Sequence, residues 1–440
     1  MSNASIVAAL ARSFTAGEPT LDSIVHRATL TLGGKWAWLR PLARRYLRAF
    51  PGLVPPRERD AVRFLRRDHG FSRARRKYER ALRVAQWTAD DPAMRPIGPA
   101  AGWNLPVIPT VAELAAWLSL DVSDLLWFAD LRSLSGKSGP PFAHYSLHAT
   151  VKRSDAIRLI ESPKPRLKSC QRRILAQILN PIPAHPAAHG FVHGRNIRTF
   201  AAPHVGQRVV LRMDVQDFFP SFRAPRIYAF LRTAGYPEPV ADLVSGLCTN
   251  AVPRAAWRNL SLNIAAEGFS QAQALYARRH LPQGAPTSPA LANICFYRLD
   301  CRLAGLAAAA GARYTRYADD LAFSGDDNFA RNAERFSLHA AAILLEEGFH
   351  ANHHKTRIMR QGARQYLTGI VTNQCMNPMR ADFDRLRAIL TNCVRTGPGA
   401  QNRESKSDFR AHLLGRVTFI ESLNAQKGAR LRRIFERIPW

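Results

Sequence analysis

An α+β chain with helical ends is the fold the sequence predicts, on three observations. Strand-like runs, rich in β-branched and aromatic residues, concentrate between about Tyr145 and Gln365. Apolar residues recur at helical spacing before and after that stretch. At 440 residues, 46% hydrophobic and with eight Trp, the chain is long and apolar enough for two or three packed domains.

Residues 1–100 read as a helical, Arg-rich N-terminal extension, typified by F-L-R-R-D-H-G-F-S-R-A-R-R-K-Y-E-R-A-L-R-V-A-Q-W. The Pro- and Gly-rich D-D-P-A-M-R-P-I-G-P-A-A-G-W-N-L-P that closes it is the linker candidate. A helical lead-in over 101–144 follows, where Asp121 or Ser123 caps the second half of V-A-E-L-A-A-W-L-S-L-D-V-S-D-L-L-W-F-A-D. The mixed region spans 145–365. In it, A-T-V-K-R-S-D-A-I-R-L-I-E-S-P suits a two-stranded hairpin, and K-S-C-Q-R-R-I-L-A-Q-I-L-N-P a basic amphipathic helix stopped by Pro181. Q-R-V-V-L-R-M-D is a buried strand ending on an acid, and A-P-R-I-Y-A-F-L-R-T-A-G the helix after it. In L-P-Q-G-A-P-T-S-P-A-L-A-N, Ser288 as N-cap and Pro289 at the first helical position begin another helix. R-Y-T-R-Y-A-D-D-L-A-F-S-G, Arg313 to Gly325, is a second hairpin. Residues 366–440 return to helices: Phe383, Leu386, Ile389, Leu390 and Cys393 share one face, and Phe409, Leu413, Val417, Ile420 and Leu423 another.

Charge narrows the function. Lys and Arg number 63 against 33 Asp and Glu, a net charge of +30. Such an excess calls for a polyanion. Nucleic acid is favoured over a membrane surface, because the basic residues run along the whole length and do not gather on one amphipathic helix. The six cysteines never form C-x-x-C, so neither a zinc ribbon nor a disulfide framework is suggested. No apolar run approaches a membrane span, and M-S-N-A-S-I-V-A-A-L-A-R has no basic segment before its apolar one. A soluble, cytoplasmic protein is expected.

Against that basic background, Asp319 and Asp320 sit side by side at the tip of a hairpin. Two uncompensated carboxylates this close repel, and one takes up a proton unless a cation holds both ionised. A divalent metal with oxygen ligands is the economical answer. Asp214 ends the earlier strand in L-R-M-D-V-Q-D-F-F-P-S-F, with Asp217 three residues on. If the two strands are neighbours, Asp214 meets the Asp pair. Carboxylates from two strand ends can hold two Mg²⁺ about 4 Å apart, the arrangement used in phosphoryl transfer.

Together these segments make the chain resemble a reverse transcriptase, and among those a bacterial retron-type enzyme. Tyr317-Ala318-Asp319-Asp320 stands as the Y-x-D-D box, Asp214 to Phe219 as the first metal box, and Pro282-Gln283-Gly284 as the P-Q-G box. I-R-L-I-E-S-P-K-P-R-L-K-S-C-Q-R-R-I-L, A-A-H-G-F-V-H-G-R-N-I, G-F-H-A-N-H-H-K-T-R, Y-L-T-G-I-V-T-N and G-R-V-T-F-I-E-S-L-N match further segments in the family's order. Two boxes depart from the retron pattern. N-A-x-x-H reads Phe200-Ala201-Ala202-Pro203-His204, and V-T-G reads Leu367-Thr368-Gly369.

The resemblance implies a right-hand polymerase: fingers and palm over 145–365, the palm an antiparallel sheet with helices on one face, and a helical thumb over 366–440. It implies that Asp214, Asp319 and Asp320, with the Val215 carbonyl, hold two Mg²⁺ (Mn²⁺ being an alternative). Lys152 and Arg158 would meet the incoming triphosphate, and Asp217, Phe218 and Gln283 would line the nucleotide site. Phe219 would exclude a ribose 2′-hydroxyl, and Lys355 would protonate the departing pyrophosphate. Arg166, Lys168, Arg172, Arg173, His204, Thr368 and Gly369 would contact nucleic acid. His185, His189 and His193 fall at i, i+4 and i+8, but Pro186, Gly190 and Gly194 break the helix a metal site at that spacing needs. The resemblance makes that stretch a template-contacting loop.

Implied partners are dNTPs, a cognate structured noncoding RNA that serves as template and 2′-hydroxyl primer, its cDNA in a branched RNA–DNA product, and an effector protein in defence against phage. Two rival readings stand beside this one. The first is a defence-associated or other bacterial reverse transcriptase that needs no retron RNA. The second is a basic RNA-binding protein without catalysis, against which the retention of all three aspartates argues.

Overall fold

The computed structural model describes residues 3–88, 93–135, 142–151, 157–259 and 266–440. The chain divides into two compact units, Met1–Gly139 with Pro225–Leu247, and Pro140–Ala224 with Cys248–Trp440.

The first unit opens with five helices: α1 (Asn3–Thr15), α2 (Leu21–Leu32), α3 (Leu39–Ala49), α4 (Glu58–Arg67) and α5 (His69–Lys77). Local signals set their ends. Thr20 accepts the Ser23 N–H at the start of α2, and Gly33, at φ 68°, closes that helix in the left-handed conformation a Cβ disfavours. Asp68 caps α5 through the Phe71 N–H and takes two bonds from Arg45, at 2.7 and 2.8 Å. Leu10, Phe14, Ile24, Leu42, Tyr46, Leu65 and Phe71 form the common core. Of the Pro- and Gly-rich stretch expected as a linker, residues 90–92 lie outside the described residues and 93–106 bond within this unit. The Arg95 and Ile97 N–H groups donate to the Gly235 and Thr233 carbonyls, and a Cβ on Gly235 would lie 2.5 Å from the Pro96 nitrogen. The lead-in forms two helices, α6 (Val111–Leu118), with a Thr110/Glu113 capping box, and α7 (Val122–Ala129). Asp121 occupies the N-cap of α7 but makes no capping bond with its side chain, contrary to expectation.

In the second unit, β1 (Tyr145–Val151) and β2 (Ile157–Pro163) make the expected antiparallel hairpin. The basic segment is helical over Pro165–Ile174 and finishes in a π-turn, Leu175–Leu179, before Pro181. The central sheet joins β3 (Val209–Asp214), β4 (Arg313–Tyr317), β5 (Asp320–Gly325) and β6 (Arg357–Arg360) in the order β4-β5-β3-β6, antiparallel throughout.

Register sorts its side chains. Leu211, Leu321, Phe323, Tyr314 and Arg316 share the face covered by helices Ser288–Ala309 and Asp327–Glu346, where Phe323 meets Phe336 and Arg316 meets Asp300. Val210, Arg212, Asp214, Asp320, Ala322 and Thr315 share the other, where Phe200, Leu367 and Ile370 pack. A right-hand polymerase palm has this build.

Beyond it, β7 (Tyr366–Leu367), β8 (Ile370–Val371) and β9 (Asn377–Pro378) form a small sheet. Helices Arg380–Thr396, Phe409–Leu423 and Ala425–Phe435 bury Leu386, Leu390, Cys393, Leu413, Val417 and Ile420 against one another. Leu423, expected on that face, packs instead with Phe200 and Leu367. No helix among the described residues is long and apolar enough to cross a membrane.

Candidate active site

Three acids meet because β3 and β5 are antiparallel neighbours: Asp214 stands opposite Asp320, and Tyr317 pairs with Asp320 across the hairpin. Cα atoms of such opposed residues lie about 4.5–5.5 Å apart. The Val215 N–H donates to the Asp319 carbonyl at 2.9 Å, tying the turn to the end of β3.

Two cations answer the charge. Lys355 Nζ lies 2.8 and 3.1 Å from the Asp214 oxygens, and Arg212 donates twice to Asp320 Oδ1, at 2.9 and 2.7 Å. Asp319 has neither. Burial, with Asp214 and Asp320 beside it, pushes its carboxyl up to about 6. Burial also raises Asp320, against the pull of Arg212.

This is an oxygen-only donor set with one carboxylate short of a counterion, which fits a hard divalent cation. Among the described residues no three His, Cys, Asp or Glu side chains already converge on one metal position. Lys355 engages Asp214 and Arg212 engages Asp320.

The acids line a cleft of about 780 Å³ with Arg158, Phe191, Asp217, Phe219, Gln283, Lys355 and Thr368. Four of its residues, Phe191 (φ 59°), Asp217 (φ 46°), Ala318 (φ 55°) and Thr368 (φ 44°), hold left-handed backbone without being glycine. Such conformations cost energy and cluster where a site needs a fixed shape.

The Gln283 loop is fastened to β2. Its carbonyl accepts the Glu161 N–H at 2.8 Å, and Gly284, at φ 131°, leaves a Cβ only 2.9 Å from the Glu161 carbonyl oxygen. Glu161 is buried between His280 Nε2 and Asn250 Nδ2, each at 2.8 Å. Ser288 is not the N-cap; Thr287 holds that position, and the Ser288 hydroxyl donates to the Pro282 carbonyl at 2.7 Å.

Lys152 lies outside the described residues. Phe218 is a core ring, 5% exposed, with its edge against Phe222 and near Phe296; both it and the half-buried Phe219 border the cleft. Arg166 and Arg172 are exposed on their helix, with Lys168 and Arg173 half-buried. Gly369, at φ 86°, turns the chain from β7 into β8 beside Thr368.

The nucleic-acid contact expected of His204 is corrected: the ring is fully buried and holds the Ser324 and Thr315 hydroxyls at 2.6 and 2.7 Å. Burial pulls it down to about 3, a neutral pin between 197–204 and the sheet. His189 bonds Thr199 Oγ1 at 2.8 Å, and His185 Nδ1 accepts the Ala187 N–H.

Sequence reasoning missed what holds the Asp turn. Arg316, fully buried, donates to both Asp300 oxygens at 2.8 and 2.7 Å, to Asn293 Oδ1 at 3.0 Å and to the Ala318 carbonyl at 3.2 Å. Asn293 Nδ2 in turn reaches the Gly190 carbonyl at 2.9 Å. A Cβ on Gly190 would lie 2.5 Å from the Ala318 nitrogen, so the H-G-F-V-H-G loop can press directly on the turn. Arg212 was missed too, although strand alternation places it on the face of Asp214.

Comparison with known proteins identifies the scaffold. The family described as reverse transcriptase (RNA-dependent DNA polymerase) matches residues 150–372, just over half the chain. The chain belongs to that family. Retron Mx65 reverse transcriptase of Myxococcus xanthus is 41% identical over 340 residues, covering 76% of this chain and 73% of the relative. Retron Mx162 reverse transcriptase of the same species is 38% identical over 341 residues, 74% and 66% of the two chains. Retron Ec86 reverse transcriptase of Escherichia coli is 29% identical over 276 residues, 62% and 74%. The reverse transcriptase is therefore of the retron type and an RNA-directed DNA polymerase, and its family works with divalent metal ions.

Proposed function

We propose that the protein copies a cognate structured noncoding RNA into DNA, starting from a 2′-hydroxyl of that RNA and leaving a branched RNA–DNA product. The observation that carries the chemistry is the meeting of Asp214, Asp319 and Asp320 across β3 and β5, with the Asp319 carboxyl pushed up to about 6. The retron relatives favour the RNA partner. A role in defence against phage, with an effector protein as partner, is part of the same proposal.

Asp214, Asp319 and Asp320, with the Val215 carbonyl, would hold two Mg²⁺. Divalent ions held there would supply Lewis-acid stabilisation of the charge on the attacking and leaving oxygens. The chain's own residues do the rest. Arg158 donates to triphosphate oxygens, a charge-assisted contact about twice as strong as a neutral one. Phe219 closes the space a ribose 2′-hydroxyl needs, while Gln283 orients the nucleotide against the template. The primer hydroxyl gives up its proton to water as its oxygen bonds to the α-phosphorus, the bond from that phosphorus to the oxygen bridging to the β-phosphate breaks, and Lys355 Nζ supplies a proton to the departing pyrophosphate.

Primer extension with Mg²⁺ and dNTPs, comparing wild type with Asp319→Ala and Asp320→Ala, tests catalysis. Equal incorporation by wild type and variants refutes it. Sequencing the nucleic acid that co-purifies with the protein tests the retron reading: a branched RNA–DNA species supports it, and unbranched products alone refute it.

A further inference from the structure

The first unit holds a charge concentration that polymerase chemistry in the second does not use. Residues 35–83 carry 16 Lys and Arg against four Asp and Glu, an excess of 12 out of the chain's 30. The fold sorts them. On α3, Arg40, Arg44 and Arg48 fall at i, i+4 and i+8, opposite buried Leu42 and Tyr46. On α4, Arg59, Arg63, Arg66 and Arg67 share the face opposite buried Ala61 and Leu65. On α5, Arg73, Arg76 and Lys77 are exposed in the same manner. Arg40 pairs with Asp22, and Arg63 approaches Asp60 at 3.5 Å. Among the described residues no acid pairs with Arg44, Arg48, Arg59, Arg66 or Arg67.

Two shallow grooves border the α4 stripe. One, of about 520 Å³, is lined by Glu58, Arg59, Val62, Arg63, Arg66 and Arg67. The other, of about 820 Å³, shares Arg63 and Arg67 and adds Arg45, paired there with Asp68, together with Asp60, His69, Phe50 and Phe64.

We propose that this arginine face of α3, α4 and α5 is a second nucleic-acid site, gripping the phosphate backbone of the polynucleotide being copied or made. It rests on the polymerase reading only for the identity of that polynucleotide. Guanidinium groups at helical repeats present fixed forks to phosphate oxygens, and each phosphate neutralised releases counterions. A docked protein would call for apolar anchors at the centre of the patch, since interface cores are depleted in charge. None of the large exposed apolar side chains falls within these three helices. A membrane would need an apolar helix face to insert, and here those faces are buried in the core.

The test uses the full chain. Wild type and the Arg59→Gln/Arg63→Gln/Arg66→Gln/Arg67→Gln variant are titrated into a fluorescein-labelled RNA stem-loop, and into a DNA stem-loop of the same sequence, across a KCl series. Gln keeps helix propensity, and circular dichroism confirms folding. Four lost contacts at about 0.7–0.9 each should flatten the slope of log K against log[salt] by about 3. Primer extension on a pre-annealed duplex at saturating concentration should keep its kcat. A second variant, Arg44→Gln/Arg48→Gln, should flatten the slope by about 1.5 on the same reasoning. Loss with RNA alone assigns the face to the template RNA, and loss with both probes assigns it to backbone shared with the DNA product. Unchanged slopes in both variants overturn the proposal, as does polyglutamate displacing the RNA as well as unlabelled RNA of equal charge does, since an acidic protein then fits equally. Failure of the polymerase reading would look different: wild type extending no better than Asp319→Ala.

Discussion

Arg316→Met would test whether the buried cluster behind the Asp turn sets the active site. Arg316 and Asp300 are both fully buried and joined at 2.7 and 2.8 Å. Removing the guanidinium leaves the Asp300 carboxylate in the core with, among the described residues, the Tyr314 hydroxyl at 2.7 Å as its hydrogen-bond partner. Breaking a buried pair from one side costs about 3–5 kcal/mol. The orphaned Ala318 carbonyl and Asn293 oxygen add a share of about 1–3 kcal/mol each that overlaps with the first figure. A loss of at least about 3 kcal/mol is therefore expected from the urea midpoint. Arg316→Met/Asp300→Leu removes both charges, and replacing a buried pair by apolar groups is often nearly neutral. The double variant should thus recover much of the stability. It should not recover activity, because Ala318 remains at φ 55° without the donor that holds its carbonyl. A shift of about 1 Å in a reacting group can cost about 100-fold, so primer extension should stay depressed by that order. A single variant within about 1 kcal/mol of wild type would refute the clamp. A double variant with normal extension would refute its role in positioning.

Three further outcomes follow from the cleft. Asp319→Asn, isosteric but neutral, should lower extension by about 10²–10⁴-fold, because it removes several kcal/mol of transition-state charge stabilisation. The native Asp319 carboxyl titrates at about 6 against an ordinary 3.8, so the folded state binds the proton more tightly than the unfolded one. Metal-free protein should therefore lose stability as pH rises from about 4 to about 6. The upper bound is about 3 kcal/mol, and the partial exposure of the carboxyl lowers it. Mg²⁺ should accordingly raise the melting temperature more at pH 7.5 than at pH 5, with the gain abolished by EDTA; an equal gain at both would count against Asp319 as the metal-linked group. Phe219→Ala should raise ribonucleotide incorporation relative to deoxynucleotide by about 10–200-fold, the range one close contact in a pocket controls. An unchanged ratio in single-nucleotide extension would remove Phe219 from sugar selection.

How much of this was readable from the chain depends on the range of each interaction. β3 and the β4–β5 hairpin were legible because their apolar runs end on acids. Once antiparallel register places Asp214 opposite Asp320, convergence of the three carboxylates needs nothing more. The helices also followed from spacing, down to the face bearing Leu386, Leu390 and Cys393. What escaped were contacts between side chains far apart in sequence. Asp300 looked like one polar residue in a long helix, and Arg316 like one more cation in a basic chain. Only the packing of Ser288–Ala309 on the sheet makes them partners. His204 went wrong for the same reason. Its place in a box resembling the retron N-A-x-x-H pattern suggested a nucleic-acid contact, yet both ring nitrogens are spent on hydroxyls from β4 and β5. The acids that would do the chemistry were visible as a pattern, while the groups that hold them in place are bonded across the fold and carry no local signature. Around an active site whose acids can be read from sequence, it is these holding groups that a structure adds.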